Sequence, residues 1–142
     1  MTDIQLKVQK PLKDLVYLEL KHKILTGEIV SQTRLMEIDL SNCTELKTLE
    51  STFYGSKKLE KVILPEGITT INYAFNGCES LTSVNFPQSL RTIGNDAFAN
   101  TKIQVADLAK CTELVSMGWG VFNGCRELKE VTLPASLQSM SS

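Results

Sequence analysis

Few residues of this chain can do chemistry, and none is placed as a catalytic or metal site requires. The single histidine, His22, lies between Lys21 and Lys23. Catalytic triads and most zinc sites need more than one such group, either further histidines or closely spaced cysteines. A lone histidine between two lysines is most simply a solvated side chain. The sequence therefore predicts no zinc site and no catalytic triad.

Four cysteines could suggest disulfides or a metal, but no CxxC pair occurs. Cys78 and Cys125 hold equivalent positions of the repeat described below, two turns apart, which is roughly 10 Å at the spacing of β-strands. That separation is beyond disulfide reach. Cys43 and Cys111 are three turns apart. We therefore expect buried free thiols that act as small apolar fillers.

Two further motifs have a structural and a chemical interpretation. Gly118-Trp119-Gly120 lacks the lysine or helix start that phosphate sites use. It predicts a local bulge with Trp119 partly exposed, and the alternative is an aromatic contact for a protein or glycan partner. Asp39 and Asp107 share one strand position but lie three turns apart, too far for joint acid–base work. No enzyme and no cofactor are predicted.

Composition narrows the remaining classes of function. The chain has 142 residues, 42% of them hydrophobic and 22% charged, with a net charge of −1. This is the composition of one soluble globular domain. Basic residues are dispersed, which argues against nucleic acid and anionic membranes as partners. No apolar run approaches the roughly 18–20 residues of a membrane span, so no membrane insertion is expected.

The first ten residues, MTDIQLKVQK, contain no apolar segment typical of a signal peptide. Two interpretations stay open: a cytosolic protein, or a chain whose leader has been removed. The chain also stops in mid-pattern at Met140-Ser141-Ser142, which we interpret as truncation, because a solenoid's last turn needs a polar cap.

From Leu35 onwards the chain repeats itself every 22 to 25 residues. The first element of each repeat is Leu-x-x-Val-x-Leu, whose last two anchors are two residues apart, as on one face of a strand. Proline follows in three repeats and ends the strand, because it cannot donate to a ladder. These anchors are Leu35/Ile38/Leu40, Leu59/Val62/Leu64, Leu81/Val84/Phe86, Ile103/Ala106/Leu108 and Leu128/Val131/Leu133.

The second element is Leu-x-x-Ile, followed by a phenylalanine and, three residues later, a small residue. Stacked repeats would bring equivalent anchors into contact, phenylalanine on phenylalanine, with parallel strands about 4.8 Å apart. A variant loop, Asp-Leu-x-x-Cys-Thr-Glu-Leu, replaces the proline at residues 39–46 and 107–114. The phenylalanines are Phe53, Phe75, Phe98 and Phe122.

Residues 1–34 do not fit the repeat and predict an N-terminal cap. Ile4, Leu6 and Val8 alternate with polar residues, which indicates a short strand. Pro11 would end it. Residues 12–20 fit either a helix face or a second strand, and Thr26-Gly27-Glu28 indicates a turn.

The pattern LxxVxLPxxLxxIxxxAFxxC resembles the BspA-type leucine-rich repeat, most clearly at Leu59–Cys78, Leu81–Thr101 and Leu114–Leu133. The resemblance implies a repeat solenoid, mainly β with short irregular or 3-10 turns, built as a right-handed stack of parallel strands. The solenoid would occupy residues 35–142, about four and a half turns, behind the cap at residues 1–34. The family consists of bacterial surface or secreted proteins, and of some from protists, that mediate adhesion and are not catalysts.

Residues between the anchors point away from the core and are the candidates for binding. The mixed, mildly polar surface they form fits a protein partner better than nucleic acid. The predicted partner is a host matrix or cell-surface protein, with a glycan possible, and the predicted location is the cell surface or secreted. The alternatives are an intracellular interaction scaffold in the cytoplasm, or the repeat region of a larger modular protein. The candidates are Asp39, Ile63, Asn85, Asp107, Thr132 and Trp119, with Val105 placed in the same ladder and Glu37, Lys61, Ser83 and Glu130 beside it.

Overall fold

The structure, a computed structural model, describes residues 2–7 and 33–141, with side chains from residue 37 onwards. Strand β1 (Thr2–Lys7) confirms the strand expected from the alternation at the start of the chain, and it pairs in parallel with β2. His22, Pro11, the segment at residues 12–20 and the turn at residues 26–28 lie outside the described residues. The cap at residues 1–34 therefore stays a prediction.

Residues 33–141 form five successive turns with two short strands in each. The described residues contain no helix, and every strand pairing is parallel. The Leu-x-x-Val-x-Leu elements give β2 (Thr33–Asp39), β4 (Lys61–Ile63), β6 (Ser83–Val84), β8 (Val105–Asp107) and β10 (Glu130–Thr132). The Leu-x-x-Ile elements give β3 (Thr48–Glu50), β5 (Thr70–Asn72), β7 (Thr92–Ile93), β9 (Ser116–Met117) and β11 (Ser139–Met140).

The two strand sets build two ladders along the stack. The second elements form one continuous five-stranded sheet, in the order β11-β9-β7-β5-β3. The first elements form the sheet β1-β2-β4-β6 and a separate pair, β10-β8. The interruption between β6 and β8 coincides with a shorter corner. Ile103 follows Phe98 by five residues, whereas Leu81 follows Phe75 by six.

Tight turns connect the strands. The amide of Cys43 donates to the carbonyl of Leu40, and the amide of Cys78 donates to that of Phe75, each closing a three-residue step. This bond pattern is the one that 3-10 turns use, as the resemblance implied. One corner of each of the first four turns also needs a left-handed backbone. Glycine supplies it at Gly55, Gly77 and Gly124, and Asn100 replaces glycine in the third turn with φ 58°.

The core is a column of equivalent anchors, as the repeat predicts. Phe75 stacks between Phe53 and Phe98, with ring centroids 5.5 and 5.3 Å away, and Phe122 continues the column at 5.9 Å from Phe98. The first three rings are fully buried. The main chain beside them is bonded from turn to turn, because the Phe53 amide donates to Ala74 and the Phe75 amide to Ala97.

Each turn buries the anchors of the turn before it. In the last described turn Val131, Leu133 and Met140 are exposed, Met140 by 61%. The same positions one turn earlier are filled by Ala106, Leu108 and Met117, and all three are buried. Burial of an anchor therefore depends on the neighbouring turn rather than on the residue's own turn.

Candidate functional site

The outward side chains of the first ladder form a surface that we call the strand face. Its residues fall into two columns, one before and one after the buried central anchor of each strand. The first column contains Glu37, Lys61, Ser83, Val105 and Glu130. The second contains Asp39, Ile63, Asn85, Asp107 and Thr132.

The register corrects one sequence-based assignment. Val105 was placed in the ladder of Asp39 and Thr132, but it pairs with Glu130 and so belongs to the first column. Asp107 pairs with Thr132 and holds the second-column position. The strand of this turn carries its buried anchor at Ala106, and the residues on either side of it face outward.

The carboxylates of Asp39 and Asp107 bond to their own loops. Asp39 Oδ1 accepts the amide of Ser41 at 2.9 Å, and Asp107 Oδ1 accepts the amide of Ala109 at 3.0 Å. An aspartate that accepts an amide two residues ahead mimics a backbone turn. This bond shapes the variant loop that lacks proline, so both residues have a structural role on the strand face.

Asn85 is exposed, but its amide is part of the ladder. Its Oδ1 accepts the amide of Leu64 at 2.6 Å, and its Nδ2 donates to the carbonyl of Leu64 at 2.9 Å. In the first and fourth turns a main-chain carbonyl takes this place, because the Leu40 amide donates to Ile63 and the Leu108 amide to Thr132. The side chain of Asn85 therefore continues a parallel pairing beyond the end of β6.

The rest of the strand face is available to a partner. Val105 is 54% exposed, and Ile63 and Thr132 are half-buried. Lys61 Nζ lies 3.7 Å from Glu37 Oε1 across the first column. Exposed pairs of this kind contribute little stability, so both side chains can turn towards a ligand. Val105 and Ile63 are thus two separate apolar side chains on the strand face, two turns apart, with Ser83 and Asn85 of the intervening turn between them.

Trp119 lies apart from the strand face, just after β9 of the second ladder. It is 52% exposed, and its amide donates to Asn95 Oδ1 at 2.8 Å. Its corner takes five steps from Met117 to Phe122, as the corner from Ile93 to Phe98 does, and one more than the corner from Ile71 to Phe75. The exposure of Trp119 is as predicted, and the bulge stays a prediction. A Cβ on Gly118 would lie 2.7 Å from the Asn95 nitrogen, so only glycine fits there.

A groove that the sequence reasoning missed runs along the corner after the phenylalanine column. We call it the edge groove, and its volume is about 550 Å³. Its corner residues are the left-handed positions described above. One repeat position, directly after the small residue, supplies a charged side chain in each of four turns. These are Lys57, Glu79, Lys102 and Arg126.

The thiols are free, and three of them are buried, as fillers should be. Burial raises the pKa of Cys78 to about 12, since a thiolate would lose its hydration there. Burial also raises the pKa of Cys111 to about 11, with Asp107 and Glu66 adding to the shift. Cys125 is half-buried, and its Sγ lies 3.3 Å from Thr101 Oγ1. Neither Cys78 nor Cys111 is a nucleophile near neutral pH.

Within residues 2–7 and 33–141, no three acidic, histidine or cysteine residues are grouped as a metal ion would need. In the same part of the chain, no helix is long and apolar enough to span a bilayer.

Comparison with known proteins agrees with this architecture. The family model for the BspA type leucine rich repeat region matches residues 47–142, in six copies. Among curated proteins the comparison found no match.

Two solved structures share the fold. A leucine-rich repeat protein from Bacteroides ovatus has a TM-score of 0.65 and 27% identity, over 72% of this chain and 26% of that chain. A leucine rich cell surface protein from Faecalibacterium prausnitzii has a TM-score of 0.54 and 19% identity, over 68% of this chain and 38% of that chain. The chain thus spans about a quarter of the length of the first protein and under half of the second.

The match to the family model covers more than half of the chain, and the parallel-strand stack is shared with solved leucine-rich repeat proteins. This chain therefore belongs to the BspA-type leucine-rich repeat family.

Proposed function

We propose that this chain is a non-catalytic, adhesin-like interaction module that binds an extracellular or cell-surface protein through the strand face. Leucine-rich repeat proteins of this family are generally non-catalytic, and their domains generally mediate protein–protein interaction. The fold relative from Faecalibacterium prausnitzii is described as a cell surface protein, which motivates the location.

The observation that carries the proposal is that two apolar side chains, Val105 and Ile63, reach the surface of the strand face among polar ones. Val105 is 54% exposed and Ile63 is half-buried, while Lys61, Ser83 and Glu130 around them are exposed and polar or charged. Apolar side chains surrounded by polar ones are common in protein interfaces. Neither apolar side chain is an anchor of the stack, so both can contribute to binding.

The test is a binding measurement with purified extracellular-matrix proteins immobilised one at a time. We expect at least one of them to bind the chain, and Val105→Arg to weaken that binding about tenfold, as the loss of a central contact does. Gln138→Arg is the matched control, because it adds the same side chain at an exposed position after β10, beside the second ladder. Equal weakening by both variants, or no binding by the wild-type chain, would contradict the proposal.

The cysteines favour one alternative, an intracellular interaction scaffold. All four thiols are free, and free thiols are typical of proteins kept in a reducing compartment. Antibody labelling of producing cells separates the two locations. Labelling of intact cells supports the surface proposal, and labelling only after lysis supports the scaffold.

A further inference from the structure

We infer that the edge groove is a second binding site, separate from the strand face, and that it takes an extended peptide segment carrying a carboxylate. The inference goes beyond the proposed function and does not depend on what the strand face binds.

The floor of the edge groove consists largely of backbone. The left-handed conformation there favours glycine, which has no side chain. Gly55, Gly77 and Gly124 have φ between 71° and 78°, and a Cβ on Gly55 would meet nothing within 4 Å. Successive turns remain in contact at this corner, since the Gly77 amide donates to Ala99 and the Asn100 amide donates to the Asn123 carbonyl at 2.7 Å. Three of the four turns thus contribute no side chain of their own to the floor. At Gly124 the side chain of Asn100 fills the space that a Cβ would take, so the trough along the stack has Asn100 seated in it.

The wall of the groove is cationic at one end. Lys57 Nζ lies 3.5 Å from Glu79 Oε1, which neutralises the first two positions. Lys102 and Arg126 follow on successive turns, about 4.8 Å apart along the stack. Within the part of the chain that the structure describes, neither has an ion-pair partner. Two neighbouring cations repel each other, and an anion between them would offset that repulsion.

The whole lining is positive although the chain is negative. Three cations (Lys57, Lys102 and Arg126) face two carboxylates (Glu79 and Glu127), a net charge of 3 − 2 = +1. The net charge of the full chain is −1. Guanidinium and ammonium groups together select a carboxylate, because Arg can donate two parallel hydrogen bonds to it. The occupant should therefore carry its acidic group at the Lys102–Arg126 end.

The other end and the middle of the groove suit a peptide chain. Tyr54 is exposed and lines the end opposite Arg126, where it can pack against an apolar side chain. Asn76 and Asn100 line the middle, and the Asn100 Nδ2 donates to Asn76 Oδ1 at 3.3 Å. Amide side chains can both donate to and accept from a peptide backbone. Three steps between four turns span roughly 14 Å, the length of about four extended residues.

The test is a nuclear magnetic resonance titration of the ¹⁵N-labelled chain with the acetylated tetrapeptide Phe-Ala-Ala-Glu, which has a free C-terminal carboxylate. The amides of Gly55, Gly77, Asn100 and Gly124 should shift on binding. The uncharged peptide Phe-Ala-Ala-Gln-amide should bind at least tenfold more weakly, and rising salt should weaken the acidic peptide because exposed charges are screened.

Two charge-matched variants locate the site. Lys102→Glu with Arg126→Glu should weaken the acidic peptide about tenfold or more. Arg91→Glu with Lys110→Glu makes the same change in net charge away from the groove and should leave binding unchanged. Unchanged amide shifts elsewhere in the stack would show that both variants are folded.

Three results would overturn the inference: no shift at the groove amides with millimolar peptide, equal effects of the two double variants, or equal binding of both peptides. A glucuronate-containing tetrasaccharide that shifts the groove amides while the peptide does not would overturn it in favour of an acidic glycan. Val105→Arg alters the strand face and should leave peptide binding at the groove unchanged. Peptide binding therefore supports the groove even if the strand face binds no matrix protein, and each proposal can be refuted without the other.

Discussion

At the scale of single residues, the outward-facing positions between the repeat anchors divide into two groups. Asp39, Asp107 and Asn85 were candidates for binding, and their side chains bond to the backbone of their own loop or of the neighbouring turn. Val105 and Ile63 have no such bond in the described structure and remain open to a partner. The sequence could place all five on the outer surface, because strand periodicity alone decides that. It could not separate the two groups, because the distinction depends on which carbonyl or amide lies next to each side chain.

The bonds of Asn85 predict a specific effect of Asn85→Asp. The variant keeps an acceptor for the Leu64 amide but places a second carboxylate oxygen against the Leu64 carbonyl, where Nδ2 now donates. We expect a loss of about 1–2 kcal/mol in the free energy of unfolding, measured by urea denaturation at pH 7. Asn95→Asp is the control, because Asn95 only accepts, from the amide of Trp119. A loss as large in the control would rule out the ladder role of Asn85.

The raised pKa of Cys78 predicts a loss of stability at high pH. Its thiol has a pKa of about 12 in the folded chain and 9.0 as a reference value, so above pH 9 the unfolded chain releases a proton that the folded chain keeps. The free energy of unfolding then falls as the pH rises from 9 towards 12, by about 3 kcal/mol at pH 11. Cys78→Ala removes this titration. Urea denaturation at pH 8 and pH 11 should show a smaller decrease for Cys78→Ala than for the wild type, and equal decreases would contradict the assignment.

At the scale of elements, the first strand of each turn was predictable and the second was not. Val62 and Leu64 lie two residues apart and are both buried, so the period of a strand is visible in the sequence. The second strands are two or three residues long and bury at most one side chain each, such as Ile71 in β5. One buried residue defines no period. The break between β6 and β8 was also unpredicted, although the shorter corner with which it coincides is visible in the sequence.

The phenylalanine column predicts the cost of truncating an inner ring. Phe75 is fully buried between two parallel rings, so Phe75→Ala should lower the free energy of unfolding by about 3–5 kcal/mol, as the cavity cannot close within a stack. Lys57→Ala should change it by less than about 0.5 kcal/mol, because Lys57 is exposed and its ion pair is screened. Thermal unfolding followed by circular dichroism compares the two, and equal melting temperatures would refute the assigned register.

At the scale of the whole molecule, the chain is a stack of turns. Each turn is stabilised by packing against its neighbours, and the two candidate binding surfaces run along the stack. Buried anchors such as Phe75 and Phe98 contact their equivalents in the next turn, so the repeated positions serve packing. The strand face follows from that register and could be foreseen. The edge groove could not, because it arises only when the left-handed corners of four turns are aligned and their charged neighbours come together.

Residue-resolved hydrogen exchange tests the stacking of turns most directly. The amides of Phe53, Phe75 and Phe98 each donate to a carbonyl of the following turn, at 2.9, 2.9 and 3.0 Å. We predict that all three exchange slowly and with similar protection, because one stack of turns opens cooperatively. Fast exchange at Phe75 beside slow exchange at Phe53 and Phe98 would contradict the account, because the turns would then not form one continuous stack.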